Sequence, residues 1–146
     1  MSNVGFGVDV IFYEVGHPDL LHSFFSTMSY HTEPEGWGTK YPLLMKDLYF
    51  EKLSWEDVKE ARENLKEIQS VLQKKKPDEV VWDIEDLEKR PPWDGQQLPP
   101  QVTDLTTYYA TSRGVTYFDL LFHAFDDAQE VEIDIVIRKS LADKTP

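Results

Sequence analysis

The chain has 146 residues, of which 40% are hydrophobic and 13% aromatic, enough to build one domain around a hydrophobic core. Its 15 Lys and Arg against 27 Asp and Glu give a net charge of −12, which disfavours binding to nucleic acid or an anionic membrane and favours encounter with a cationic protein. The absence of cysteine excludes disulfides and thiolate chemistry. No signal peptide or membrane-spanning apolar run is visible, so a cytoplasmic location is expected.

The first half of the chain is predicted to contain one strand and three helices. Val4–Tyr13 alternates between apolar and other side chains, which predicts a single strand with one strongly buried face. Gly5 and Gly7 share its other face, where either a close packing partner or a bulge is expected. Helix Pro18–Tyr30 follows, and a short helix is expected after Pro42.

The longest predicted helix is Trp55–Lys75. Ser54 is placed to cap its first turn, and Pro77 stops it after three consecutive lysines, which suit the negative end of the helix dipole. Its apolar positions are spaced 3, 4, 3, 4 and form a single seam: Val58, Ala61, Leu65, Ile68 and Leu72.

The second half is predicted to complete a small sheet. Glu79–Trp82 is a possible short strand, Leu105–Thr111 and Val131–Ile137 are predicted strands, and Tyr117–Ala128 is a largely buried helix. Leu141–Pro146 is expected to be a frayed tail. The whole pattern predicts one α+β domain over residues 1–146, with a mostly antiparallel sheet of three or four strands packed against several helices. The oligomeric state and the strand order are not predicted.

No reaction is indicated by the residues that carry chemistry. The early histidines, at intervals of five and nine, do not share a helical face as metal ligands would, so no metal site is predicted; they are His17, His22 and His31. His17 is instead assigned to the start of a helix. Ser26 lies inside a predicted helix and outside any nucleophile-elbow motif. No cofactor motif is present, and no catalytic residue is predicted.

Acid is concentrated in Asp78–Asp94, called here the acidic segment. Its 17 residues hold seven acids and two bases, together with Trp82 and Trp93. Trp82, which follows two valines, is expected in the core, and Trp93 is expected to be exposed. Aromatic anchors beside carboxylates suit a surface covered by a basic partner, although an ordinary solvated loop is the alternative. The candidate partner-binding residues are Asp83, Glu85, Asp86, Glu88, Trp93 and Asp94.

Four stretches of the chain resemble a family of small bacterial immunity proteins that accompany polymorphic toxins, including the contact-dependent inhibition and LXG types. The stretches are VGFGVDVIFYEVGHPDLLHSFFSTMSYH, GWGTKYPLLMKDLY, PDEVVWDIEDLEKRPPW and YYATSRGVTYFDLLFHAF, and the similarity covers roughly residues 4 to 128. The resemblance implies a cytosolic antitoxin that binds the toxic C-terminal domain of a cognate effector, often a nuclease with a basic cleft. It supplies no catalytic residues.

Two other classes of function stay open at the level of sequence. One is a small hydrolase that uses a carboxylate pair in a cleft, which a perturbed pair in a concave pocket would support. The other is a cytosolic adaptor or regulator without a toxin partner, which the neighbouring genes would distinguish. If the acidic segment is not the docking surface, Asp126–Asp134 is the next candidate.

Overall fold

A computed structural model describes residues 3–139 and shows an α+β architecture, as predicted. Three strands form one antiparallel sheet in the order β2-β1-β3: β1 is Val4–Val8, β2 is Ile11–Gly16 and β3 is Val136–Lys139. The described residues also form four α-helices: α1 is Pro18–Thr32, α2 is Val58–Leu72, α3 is Leu105–Tyr108 and α4 is Tyr117–Val131. Helices α1 and α4 pack against the sheet, and α2 packs against both of them. A π-helix, Leu43–Leu48, occupies the place where a short helix was expected.

The predicted single strand Val4–Tyr13 is wrong, because the chain reverses within it. Val8 pairs with Ile11, so Asp9 and Val10 form a two-residue turn, and Val10 is 84% exposed instead of facing the core. Asp9 takes a positive φ of 54°, a conformation that aspartate tolerates better than most residues. Apolar residues alternate on both sides of the turn, so periodicity alone does not reveal the reversal.

The two glycines of β1 are packed closely, and the strand is irregular beside them. A Cβ on Gly5 would collide with the carbonyl oxygen of Tyr13, and a Cβ on Gly7 would collide with the guanidinium of Arg138. The pairing with β2 shifts register between Val4 and Gly5. The close partner expected on this face is therefore confirmed, and the register shift marks an irregularity of the strand next to it.

Side-chain caps begin α1 and the helical stretch that contains α2. The Asp19 N–H donates to His17 Nδ1 at 3.0 Å, which confirms the role assigned to His17. Ser54 Oγ accepts from the Glu56 N–H at 3.3 Å and opens a 3-10 turn, Trp55–Asp57, that leads into α2. The five seam residues of α2 are all fully buried. Helix α2 ends at Leu72, before the lysines.

Phe24 of α1 lies at the centre of an aromatic core. Four rings meet it edge to face at centroid distances of 5.1 to 5.7 Å: Phe25, Tyr109, Tyr117 and Phe118. These rings come from α1, from the segment after α3 and from α4. The aromatic residues thus join the N-terminal and C-terminal halves of the chain.

Three predicted strands of the second half are wrong wholly or in part. Leu105–Thr111 opens with helix α3, because Asp104 Oδ1 accepts from the Thr106 N–H at 2.7 Å and caps it. Glu79–Trp82 pairs with no strand among residues 3–139. Val131–Ile137 is mostly not strand, because α4 continues to Val131, Glu132 is left-handed at φ 57°, and β3 begins only at Val136. Leu141–Pro146 lies outside the described residues.

Candidate protein-binding surface

Hydroxyl groups on helix α1 hold the start of the acidic segment. The Val81 N–H donates to Thr27 Oγ1 at 2.9 Å, and the Val81 carbonyl accepts from Ser23 Oγ at 2.8 Å and from Thr27 Oγ1 at 3.0 Å. The Ile84 N–H donates to Ser26 Oγ at 3.2 Å. Val80 and Val81 are buried, so their backbone N–H and carbonyl groups need hydrogen-bond partners. At Val81, side-chain hydroxyls of α1 make the hydrogen bonds that a neighbouring strand would make in a sheet.

The Tyr109 hydroxyl lies beneath these contacts. It is 2.8 Å from Ser23 Oγ and 2.7 Å from Thr27 Oγ1, and it donates to the Ser23 carbonyl at 3.1 Å. Burial raises the pKa of the Tyr109 hydroxyl well above its usual range. The phenol therefore stays neutral and keeps its proton available for this network.

Arg90 draws the segment into a closed loop. Its guanidinium donates to the carbonyls of Val80 at 3.0 Å and Asp78 at 3.3 Å, and to the Asp94 carboxylate at 3.3 Å. Asp94, one of the predicted binding residues, therefore has an internal partner. One guanidinium fixes the two ends of the acidic segment relative to each other.

Asp83 has a structural role in the loop. Its carboxylate accepts from the Glu85 N–H at 3.0 Å and lies 3.3 Å from His22 Nε2 and 3.9 Å from Lys89 Nζ. The Glu85 N–H, followed by His22, holds the pKa of Asp83 below its usual value against the opposing effect of burial. The side chain is 23% exposed, so Asp83 is largely used within the fold.

The other three predicted acids face solvent. Glu85, Asp86 and Glu88 are exposed, and none of them forms an ion pair within residues 3–139. Asp86 accepts from the Glu88 N–H at 3.3 Å, which holds the turn between them. The structure thus separates the predicted acids into internally paired residues and a free group of three.

The two tryptophans pack against each other. Their ring centroids are 5.6 Å apart in an edge-to-face arrangement, and Trp93 Nε1 donates to the Tyr108 hydroxyl at 2.8 Å. Both side chains are partly buried, so the expected core position of Trp82 and the expected exposure of Trp93 are both wrong. Trp93 lines a 510 Å³ cavity together with Arg90 and Tyr108.

A second aromatic cluster, which was not predicted from sequence, lies next to His22, the residue that contacts Asp83. Its 570 Å³ concavity, called here the aromatic groove, is lined by His22, Gly36, Trp37, Tyr49, Phe50, Ile84 and Glu85. The Tyr49 ring centroid is 5.1 Å from that of Trp37 and 4.9 Å from that of Phe50. The available sequence signal was the consecutive pair Tyr49-Phe50 in a helix, because adjacent positions do not share one buried face.

The family model described as Immunity protein 70 matches residues 6–137. The chain belongs to the Immunity protein 70 family. No curated protein and no solved structure matched the chain. The match confirms the resemblance to immunity proteins and continues beyond residue 128 to the first part of β3.

The Immunity protein 70 match spans both candidate binding features. The acidic segment and the aromatic groove lie wholly inside residues 6–137.

Within residues 3–139, no three His, Asp or Glu side chains are grouped as a metal site would require. Side chains that could carry chemistry have partners within the fold. His31 Nε2 lies 2.8 Å from the Glu79 carbonyl, and His22 contacts Asp83. The Asp127 carboxylate accepts from the Tyr13 hydroxyl at 2.5 Å. No helix in the described part of the chain is long and apolar enough to cross a membrane.

Proposed function

We propose that this chain is a cytoplasmic antitoxin that binds the toxic C-terminal domain of a cognate bacterial polymorphic toxin and neutralises it by stoichiometric occlusion. Membership of the Immunity protein 70 family supports the antitoxin role. The proposed toxin is a basic, nuclease-type domain, because a net charge of −12 attracts a protein whose cleft is built to hold phosphates. The chain acts by binding, without a reaction of its own.

The proposed docking surface is the acidic segment, with Asp83, Glu85, Asp86, Glu88, Trp93 and Asp94. The observation that carries this choice is the free group of three carboxylates, Glu85, Asp86 and Glu88, on a loop that is fixed at both ends. Free carboxylates attract a cationic partner more strongly than carboxylates that are already neutralised. Asp83 and Asp94 contribute by holding the loop, and Trp93 and Tyr108 form an aromatic floor at its end.

Fixation of the loop matters because flexible loops lose entropy when they bind. The contacts of Val81, Ile84 and Arg90 restrain the backbone before any partner arrives. Less free energy is then spent on ordering the loop when the complex forms.

Co-expression tests the proposal directly. The toxin domain encoded by the neighbouring gene is induced in cells with and without this chain, and survival is compared. The expected result is killing by the toxin domain alone and survival when this chain is present. Equal killing in both cultures would refute the antitoxin role. A purified complex with one copy of each chain is expected under the occlusion mechanism.

A further inference from the structure

The aromatic groove brings several aromatic rings together at the surface, and one of them, Phe50, is largely exposed. Phe50 is 67% exposed, and its ring contacts Tyr49 and lies 6.1 Å from the Trp37 ring. A single exposed hydrophobic residue is ordinary, but several rings around one concavity are typical of a binding site.

The groove is held in shape by polar contacts behind it. The buried Glu33 carboxylate accepts from the backbone N–H groups of Gly38, Lys40 and Tyr41 at 2.9 to 3.0 Å and so fixes the loop that carries Trp37. Trp37 Nε1 donates to the Met45 carbonyl at 2.7 Å. The aromatic surface is therefore organised before a ligand binds, which lowers the entropy cost of binding.

The floor of the groove is formed by His22 of helix α1 and by Tyr49, which directly follows the π-helix. The Tyr49 hydroxyl lies 2.6 Å from His22 Nδ1, and the Trp37 and His22 rings stack with centroids 6.3 Å apart. These contacts leave Phe50 as the ring with the greatest free surface.

Negative charge adjoins these rings. Glu85 lines the groove, and Asp83 lies next to it beside His22. Burial raises the pKa of the Tyr49 hydroxyl, and the nearby charges of Asp83 and Glu85 raise it further. A ring face beside a carboxylate selects a cation that is planar and weakly hydrated, and a guanidinium has both properties.

The chain already contains the same arrangement with its own arginine. The Arg62 guanidinium lies over the Phe125 ring, 5.7 Å from its centroid, and pairs with the Asp126 carboxylate at 2.8 Å. In the groove, the ring and the carboxylate are present, and no arginine within residues 3–139 lines it.

We propose that the aromatic groove receives an arginine side chain of the toxin domain, stacked on Phe50 and Trp37 and paired with Glu85. This inference rests on the proposed function and adds a second contact surface to the acidic segment. Glu85 joins the two surfaces, because it belongs to the acidic segment and lines the groove. The groove then fixes the orientation of the toxin domain, while the free acids speed its approach.

The experiment measures affinity for an inactivated toxin domain, encoded by the neighbouring gene, by titration calorimetry. Phe50→Ala and Glu85→Gln are each expected to weaken binding about tenfold, as desolvated cation–π and charge-assisted contacts do. Phe50→Leu, which keeps an apolar side chain but loses the ring face, is expected to lose most of the same affinity. The double variant is expected to lose less than the product of the single losses, because both groups contact one guanidinium.

Matched controls lie elsewhere on the surface. Val10→Ala truncates another exposed apolar side chain, 84% exposed, and Glu60→Gln removes another exposed carboxylate. Both are expected to stay within about twofold of the unchanged chain, since neither contacts the groove. Equal losses in the control and groove variants would overturn the inference, as would full affinity in Phe50→Leu.

The two proposals fail in different ways. If the unchanged chain does not bind the toxin domain, the proposed function and the groove assignment are both wrong. If the unchanged chain binds tightly and the groove variants keep full affinity, only the groove assignment is wrong. Unfolding curves of each variant are recorded alongside, and Phe50→Leu, which keeps an apolar side chain and alters only the groove, provides the decisive comparison if Phe50→Ala is unstable.

Discussion

Replacing Thr27 by valine tests how the acidic segment is held. Valine has the same branched shape and a similar helix propensity, so the change removes little beyond the hydroxyl. The Val81 N–H would lose its 2.9 Å acceptor, whereas the Val81 carbonyl would keep Ser23 at 2.8 Å and Tyr109 would keep its bonds to Ser23. One buried donor is left without a partner.

The expected magnitude follows from that single orphaned group. An unsatisfied buried N–H costs about 1–3 kcal/mol, so we expect the free energy of unfolding to fall by about 2 kcal/mol. For a chain of this size that corresponds to a midpoint lowered by about 4–8 °C. Urea denaturation measures the free energy, and hydrogen exchange at Val81 and Ile84 reports whether the loop opens locally.

Ser29 provides a control on the same helix. Its hydroxyl is buried and has no hydrogen-bond partner within residues 3–139, so Ser29→Ala should leave stability unchanged or raise it by up to about 1 kcal/mol. If Thr27→Val and Ser29→Ala unfold within about 0.5 kcal/mol of each other, the hydroxyls do not hold the segment and the reasoning fails.

Two further predictions concern other buried or bonded groups. Glu33→Gln should lower the free energy of unfolding by about 2–3 kcal/mol, because the charged acceptor of three backbone N–H groups is lost. The fluorescence of Trp37 should also shift as its loop loosens. Unchanged urea denaturation curves would contradict this prediction. Tyr13 has its pKa raised to about 12, first by its hydrogen bond to Asp127 and then by burial and by the charges of Asp127 and Asp126. A raised pKa means that the neutral phenol is favoured in the folded state, so this stability is complete below about pH 10 and is lost as pH rises towards 12. Tyr13→Phe should therefore be less stable at neutral pH and decline less steeply between pH 10 and 12, and identical alkaline unfolding profiles would refute the assignment.

The helices were predictable because their signals are local. The 3-4 spacing of α2, the caps at His17 and Ser54, and the apolar stripe of α4 all lie within a few residues of the structure they determine. Strand pairing depends on contacts between distant parts of the chain. The reversal at Asp9, and the capping of α3 where a strand was expected, both changed the local outcome without disturbing the apolar pattern.

The candidate site was predictable in its composition only. The sequence shows where the acids are, but not that Asp83 meets His22, 61 positions earlier in the chain, or that Arg90 holds Asp94. The buried pair Val80-Val81 predicts a strand, because short apolar runs usually pair with neighbouring strands. Its partners are hydroxyls of α1, which no periodicity reveals.

The central claim is tested most directly by the rate at which this chain associates with the toxin domain, measured by stopped flow at several salt concentrations. The variant Glu85→Gln, Asp86→Asn, Glu88→Gln removes the free acids and leaves Asp83 to hold the loop. Its control, Glu56→Gln, Glu60→Gln, Glu130→Gln, removes the same number of exposed acids elsewhere. We expect the first variant to associate about tenfold more slowly at low salt and to lose much of its salt dependence, while the control stays close to the unchanged chain. Equal rates for the two variants would contradict the account.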